Sequence, residues 1–230
     1  MTTTAPPRRI LLLGRGRMGQ LIESLGPEYG FTVAGYVDID NADRDDWPEA
    51  DVAIDFSVPD AVPINFPKLA ARRLDIVLGT TGWAAHEAAL RASADRHGIG
   101  VVAAPNFALG VNLFNAIVAR AAEVLAPHGE LGAWLHELHH AAKVDAPSGT
   151  ALALLQTMRD AGYTAPVDVS STRAGAIPGT HTIGFDGGGE TITLTHTARD
   201  RSIFARGALE AARWVDGRRG WFTMRDVVGG

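Results

Sequence analysis

Residues 14 to 19 read Gly14-Arg15-Gly16-Arg17-Met18-Gly19, a G-x-G-x-x-G spacing that follows the apolar run Arg9–Leu13 and opens a helix-like stretch, Arg17–Leu25. A glycine triplet in that setting demands a strand, a tight turn and a helix in succession, and it narrows the possible folds more than any other stretch of the chain. Gly14 permits the turn, Gly16 lets the backbone approach a pyrophosphate, and Gly19 lets the helix pack close to a sheet. The helix start adds N–H donors and a partial positive charge, which suits an anion. Asp38 closes the next β-rich run, Phe31–Asp38, where a carboxylate can accept hydrogen bonds from a ribose 2′-OH. Without the flanking strand and helix, the same glycines would mark only a turn. Asp38 repels a 2′-phosphate, whereas Arg15, Arg17 and Arg44 could pair with one, so NADH and NADPH both stay open.

Beyond this loop, strand-like and helix-like runs alternate. Asp51–Ser57, Leu74–Leu78 and Gly100–Ala104 are apolar strand candidates; Pro59–Arg73 and Glu87–His97 are the helix candidates between them. Apolar strands separated by helices indicate a parallel sheet covered on both faces, the doubly wound α/β pattern of a Rossmann-type domain. Gly79-Thr80-Thr81 and Ala104-Pro105-Asn106-Phe107 follow later strands, at the strand ends that line the ligand crevice in such sheets. Each of the two is also ordinary turn chemistry when taken alone. The second half differs. Val111–Leu125, Ser148–Ala161 and Ile203–Val215 read as helices, and Leu131–His139, Val167–Ser171, Thr180–Phe185 and Glu190–Ala198 as strands, with Asp186-Gly187-Gly188-Gly189 as a hairpin signal. Clustered strands point to a second, α+β domain, with the boundary near Phe107–Gly110.

Composition narrows the function classes. The 230 residues carry 26 acidic and 21 basic side chains, a net charge of −5, so the basic excess of a nucleic-acid binder is missing. There is no cysteine, which removes disulfides, thiolate metal sites and cysteine nucleophiles. Met1–Arg9 reads as a loose tail, and the apolar run that follows it is too short for a signal-peptide core. No stretch approaches the ~20 apolar residues of a spanning helix. The expectation is a cytoplasmic protein with no membrane partner.

The densest chemistry lies in Glu137-Leu138-His139-His140-Ala141-Ala142-Lys143-Val144-Asp145-Ala146-Pro147-Ser148-Gly149-Thr150. Ser148 is a natural N-cap, and Gly149 and Thr150 present backbone N–H groups at a helix start. A carboxylate or phosphate binds well there, Lys143 adds positive charge, and His139 or His140 can exchange a proton near neutral pH. The same residues have plainer uses: a half-exposed histidine, a simple cap, a solvated lysine. His136, His139 and His140 are close enough in sequence to raise a metal. On a strand, however, His139 points away from the other two, and no H-E-x-x-H helix pattern is present. No metal is expected.

These segments together resemble the dihydrodipicolinate reductase family. The shared runs are GRMG at Gly16–Gly19, DFS at Asp55–Ser57, GTTG at Gly79–Gly82, PNFALGVN at Pro105–Asn112, ELHHAAKVDAPSGTA at Glu137–Ala151, IPGTHTIGF at Ile177–Phe185, LTHTARDRSIFARGA at Leu194–Ala208 and WFTMRDV at Trp221–Val227. The resemblance implies an NADH- or NADPH-dependent reductase of lysine and diaminopimelate biosynthesis. Its substrate would be a cyclic imine dicarboxylate that takes hydride at C4 with loss of water. It implies His139 as general acid, with Lys143 assisting proton transfer and binding a carboxylate. His140, Ser148, Gly149 and Thr150 would hold the substrate. The cofactor would be held by Gly14, Arg15, Gly16, Arg17, Met18, Gly19, Asp38, Gly79, Thr80, Thr81, Ala104, Pro105, Asn106 and Phe107. It further implies a dinucleotide-binding domain of residues 1–107 and 203–230, and a mixed-sheet domain of residues 108–202 that binds substrate and builds a homotetramer. Two departures accompany it: the glycine loop is one residue shorter than the usual family loop, and the stretch between Met158 and Arg173 is abbreviated. An amino-acid dehydrogenase of the same architecture would share the cofactor half but not the HHxxK and SGT residues.

Overall fold

The computed structural model describes residues 6–44 and 46–229. Contacts divide the chain into two compact units, one running up to Leu109 and resuming at Ser202, the other Gly110–Arg201.

Among the described residues of the first unit, six parallel strands form one sheet. They are β1 (Arg8–Leu13), β2 (Phe31–Val37), β3 (Val52–Asp55), β4 (Asp75–Leu78), β5 (Gly100–Ala103) and β10 (Gly220–Phe222), in the order β10-β5-β4-β3-β1-β2. Its helices are α1 (Arg17–Leu25), α2 (Val62–Ala71), α3 (Glu87–His97), α6 (Ser202–Trp214) and α7 (Met224–Gly229). The strands are apolar at consecutive positions because both faces are buried. Ile10 and Leu12 point into a core built with Ile22 of α1 and Ala205, Ala208, Leu209 and Ala212 of α6. Leu11 and Leu13 point the opposite way, against Phe66 and Leu69 of α2 and Leu90 and Ala94 of α3. Thus α6 fills one face of a sheet whose strands β1–β5 all precede the second unit, and with β10 it ties the C-terminal segment to the first unit.

In the second unit, β6 (Gly132–His139) pairs in parallel with β7 (Val167–Arg173) and antiparallel with β8 (Thr180–Asp186), which pairs antiparallel with β9 (Thr191–Thr197). Two helices, α4 (Leu109–Leu125) and α5 (Gly149–Asp160), cover one face, where Phe114, Val118, Leu154 and Met158 meet Leu135, Ile183 and Phe185. The other face carries Trp134, His136 and Leu138 of β6 beside a threonine ladder in which Thr180 meets Thr197 and Thr182 meets Thr195.

Several expectations are corrected. Arg8 and Arg9 are not tail but the start of β1, paired with Phe31 and Thr32; residues 1–5 of that expected tail lie outside the described residues. The helix-like stretch Pro59–Arg73 is broken near its prolines, as its sequence suggests: a 3-10 turn, Pro59–Ala61, precedes α2, which ends at Ala71. Strand β2 stops at Val37, so Asp38 opens a turn rather than ending a strand. The strand β10 and helix α7 were not anticipated as elements; β10 has three residues and is a strand only because β5 lies beside it. Strand β6 ends at His139 as expected and starts one residue later than expected, at Gly132. Among the described residues, no helix is long and apolar enough to cross a membrane.

Candidate active site

In the first unit, the strand order changes direction between β1 and β3, the switch point where open parallel sheets bind ligands. The glycine loop lies there. Gly14 has φ +91°, its N–H donates to Val37 O at 2.9 Å, and a Cβ on it would stand 2.6 Å from Phe56 O. Gly19 passes so close to Gly14 O that a Cβ would overlap it. Gly16 caps α1 and differs from both: nothing lies within 4 Å of where its Cβ would be. No side chain caps α1, and no acidic residue occupies its first turn. The result is a cradle of uncovered N–H groups with space above Gly16, which fits a dinucleotide pyrophosphate.

The other predicted cofactor residues of this unit divide by what they already do. Arg15 lies over the Tyr36 ring at 4.8 Å, whereas Arg17 is exposed. Asp38 accepts from Asp40 N at 3.0 Å with one oxygen. Arg44, a candidate partner for a 2′-phosphate, is bound by Asp46 through two hydrogen bonds of 2.8 and 2.6 Å. Thr80 is buried and donates its hydroxyl to Asp55 at 2.8 Å, while Thr81 is exposed. Ala104 and Phe107 are buried; the Phe107 ring packs edge-on to Phe56, so only its backbone remains to serve a ligand. Pro105 is exposed, and Asn106 accepts from Ala108 N at 2.9 Å.

Asp55 opens the DFS run, but the sequence reading gives it no role of its own. It is 1% exposed at the end of β3, where its carboxylate accepts from Ser57 N and Oγ and from Thr80 Oγ1, and its carbonyl accepts from the N–H groups of Gly79 and Thr80. It therefore joins the loops after β3 and β4. Burial pushes its carboxyl pKa up, opposed by the hydrogen bonds from Ser57 and Thr80.

In the second unit, alternation along β6 puts Glu137 and His139 on the buried face and His136 on the other. Register brings His181 of β8 opposite Glu137, and Arg173 of β7 opposite His139. Glu137 is 0% exposed. One of its oxygens takes a short hydrogen bond from His139 Nδ1, and the other accepts from Arg173 Nη2 at 2.7 Å. Because the carboxylate can only accept, Nδ1 carries the hydrogen. Burial would raise the Glu137 pKa, but hydrogen bonds from Arg173, Ser171 and His139 hold it down to about 2. Burial lowers the His139 pKa, Glu137 works against that fall, and the charges of Lys143 and Arg173 add to it. The His181 ring meets that of His139 edge-on at 5.1 Å; burial first, and then the positive charge of His139, bring its pKa down to about 4.

Ser148 caps α5 as expected, accepting from Ala151 N at 3.1 Å; its Oγ is also hydrogen-bonded to His181 Nε2 at 3.0 Å. Lys143 Nζ donates to Asp145 at 2.6 Å, and the second Asp145 oxygen accepts from Gly149 N at 3.3 Å. One carboxylate is thus already gripped by the two groups predicted to hold a carboxylate. His140 and Thr150 flank this loop, half-buried. Glu137, His139 and His181 place ligand atoms within 4.8 Å of one another. Glu137 is already engaged by Arg173 and His139, and His181 by Ser148, so an ion there would have to displace those hydrogen bonds.

A parallel sheet with a glycine cradle at its switch point, together with a second unit carrying a buried carboxylate–histidine pair beside an anion-holding helix start, defines a nicotinamide-dependent oxidoreductase. Comparison with known proteins narrows the class. The profile for "Dihydrodipicolinate reductase, N-terminus" matches residues 8–107, and that for "Dihydrodipicolinate reductase, C-terminus" matches residues 110–228. A 4-hydroxy-tetrahydrodipicolinate reductase of Christiangramia forsetii is 35% identical over 95% of this chain and 97% of its own. Another, of Acidiphilium cryptum, is 40% identical over 93% and 94%. The solved dipicolinate-bound dihydrodipicolinate reductase from Paenisporosarcina sp. TG-14 superposes with a TM-score of 0.76 at 21% identity, covering 94% of this chain and 97% of that one. The chain belongs to the dihydrodipicolinate reductase family.

Proposed function

We propose that the chain reduces 4-hydroxy-tetrahydrodipicolinate to tetrahydrodipicolinate with loss of water, in lysine and diaminopimelate biosynthesis. The observation that carries this reading is the convergence of His139, Lys143 and the α5 N-terminus in one unit, with Lys143 and Gly149 already sharing a carboxylate. A bound nicotinamide supplies the hydride. Its dinucleotide is held by the backbone of Gly14–Gly19 and by the loops at Gly79–Thr81 and Ala104–Phe107, with Asp38 on the ribose. Hydride arriving at an unsaturated imine drives electron density outward, and a proton must meet it; His139 holds that proton at Nε2. Lys143 assists the transfer and, with Ser148, Gly149, Thr150 and His140, holds the substrate. A substrate carboxylate takes the place that Asp145 occupies between Lys143 and Gly149. The Asp38 carboxylate favours NADH, while Arg15 and Arg17 keep NADPH available. The threonine-rich sheet face of the second unit is the surface through which a homotetramer would assemble.

The test is oxidation of NADH and of NADPH, each followed by absorbance, with the cyclic substrate generated in place by the preceding synthase from pyruvate and aspartate semialdehyde. Oxidation that requires both this protein and the synthase product is the expected result. Turnover on L-aspartate with NAD, and none on the cyclic imine, would instead indicate an amino-acid dehydrogenase.

A further inference from the structure

We infer that Glu137 is a positioning residue for His139: it holds the Nδ1 edge of the ring so that the exchangeable proton sits at Nε2, and Arg173 keeps Glu137 anionic for that task. The inference rests on the reading of His139 as the proton donor.

The arrangement is assembled from three neighbouring strands. Glu137 and His139 are two residues apart on β6 and share its buried face; Arg173 stands opposite His139 on β7, and His181 opposite Glu137 on β8. A carboxylate with no exposure is costly to bury unless both oxygens are paired. Here the pairing is divided. Arg173 takes one oxygen at 2.7 Å, and the other is spent on the imidazole. If Glu137 served only to clamp β6 to β7, both oxygens could have gone to the guanidinium in a two-pronged pair. Directing one to Nδ1 fixes a single tautomer, so that proton gain and loss occur at Nε2. That nitrogen faces Gly179, where even a Cβ would stand only 3.1 Å away.

The surrounding charges explain why such a partner is needed. Arg173 from β7 and Lys143 from the loop after β6 both oppose an imidazolium at His139; Asp145 partly offsets Lys143; and His181, whose pKa burial brings down to about 4, stays neutral with its Nε2 hydrogen-bonded to Ser148 Oγ. Glu137 is the anion in direct contact with the ring, so it sets how readily His139 holds a second proton.

The test is Glu137→Gln, which keeps shape and removes charge. In a histidine-labelled sample followed by NMR, the His139 pKa is expected to fall by on the order of one unit. The alkaline limb of the kcat profile should move in the same direction, and turnover at neutral pH should drop roughly 10- to 100-fold, with substrate KM and cofactor Kd within about twofold. If that variant does not fold, Glu137→Asp retains the charge with a shorter reach and should show the same downward shift, smaller in size. An unchanged His139 titration in a folded variant, or full turnover with an unmoved pH profile, overturns the inference and leaves Glu137 as a strand clamp. Absence of turnover in the unmodified protein would refute the proposed reaction instead. The NMR titration then decides the inference alone: a shift supports the Glu137–His139 coupling, and no shift overturns it.

Discussion

The cradle of the first unit and the cluster of the second are built from different materials. The first is backbone: a turn at Gly14, a close approach at Gly19, and N–H groups left uncovered at the start of α1. The second is side chain: Glu137, His139, Arg173 and His181, drawn from three strands and aligned by register. A backbone site binds what is common to all dinucleotides, since every N–H is alike. A side-chain site can place one proton and one charge at chosen atoms. The contrast predicts that substitutions in the second unit change turnover, whereas those in the first change affinity or folding.

The largest effect should come from His139→Gln. Loss of the proton donor is expected to lower kcat roughly 10²- to 10⁴-fold and leave cofactor Kd within about twofold, as measured by steady-state kinetics and NADH titration. Undiminished turnover would remove His139 from the role and erase the contrast.

Acidification should act on the second unit. The folded pKa of His181 is about 4 against an ordinary 6.5, so the folded state resists protonation that the unfolded chain accepts. Its contribution to stability is therefore whole above pH 6.5, falls as the pH drops below that, and levels off below pH 4, a loss of roughly 3 kcal/mol. His139 and His196, also shifted down by burial, add to the same decline. Urea midpoints across this range should show it, and His181→Asn should flatten it.

Within the cradle, two glycines should part company. Gly19→Ala sets a Cβ against Gly14 O and should destabilise the first unit by about 1–3 kcal/mol. Gly16→Ala meets nothing in the protein and should keep the melting temperature while weakening NADH. Equal melting temperatures for the two variants would contradict the close approach at Gly19. The smallest effect belongs to Asp38→Ala, which should weaken NADH roughly tenfold and NADPH less, because only NADH offers the 2′-OH. Equal losses for both cofactors would remove Asp38 from the ribose.

Local pattern alone sets the boundaries of α1 and α3, the Ser148 cap and the glycine cradle, because each is decided by neighbours within a turn or two of chain. The candidate residues His139, Lys143, Ser148 and Gly149 were legible for the same reason: they lie in one continuous run. Glu137 lies in that run as well, and its spacing of two from His139 on a strand was a usable sign. Arg173 and His181 carried none, since nothing near them in the chain marks them as neighbours of that pair.

Short-range sterics and hydrophobic period suffice for the alternating strands, the glycine cradle and the helix start at Ser148. Only the folded chain shows that Arg8–Arg9 and β10 are strands, that Thr80 is committed to Asp55, and that Arg173 and His181 stand beside the buried Glu137–His139 pair. Those outcomes depend on strand order and register, which bring together groups tens of residues apart, and on burial, which makes each unpaired charge too costly to leave alone.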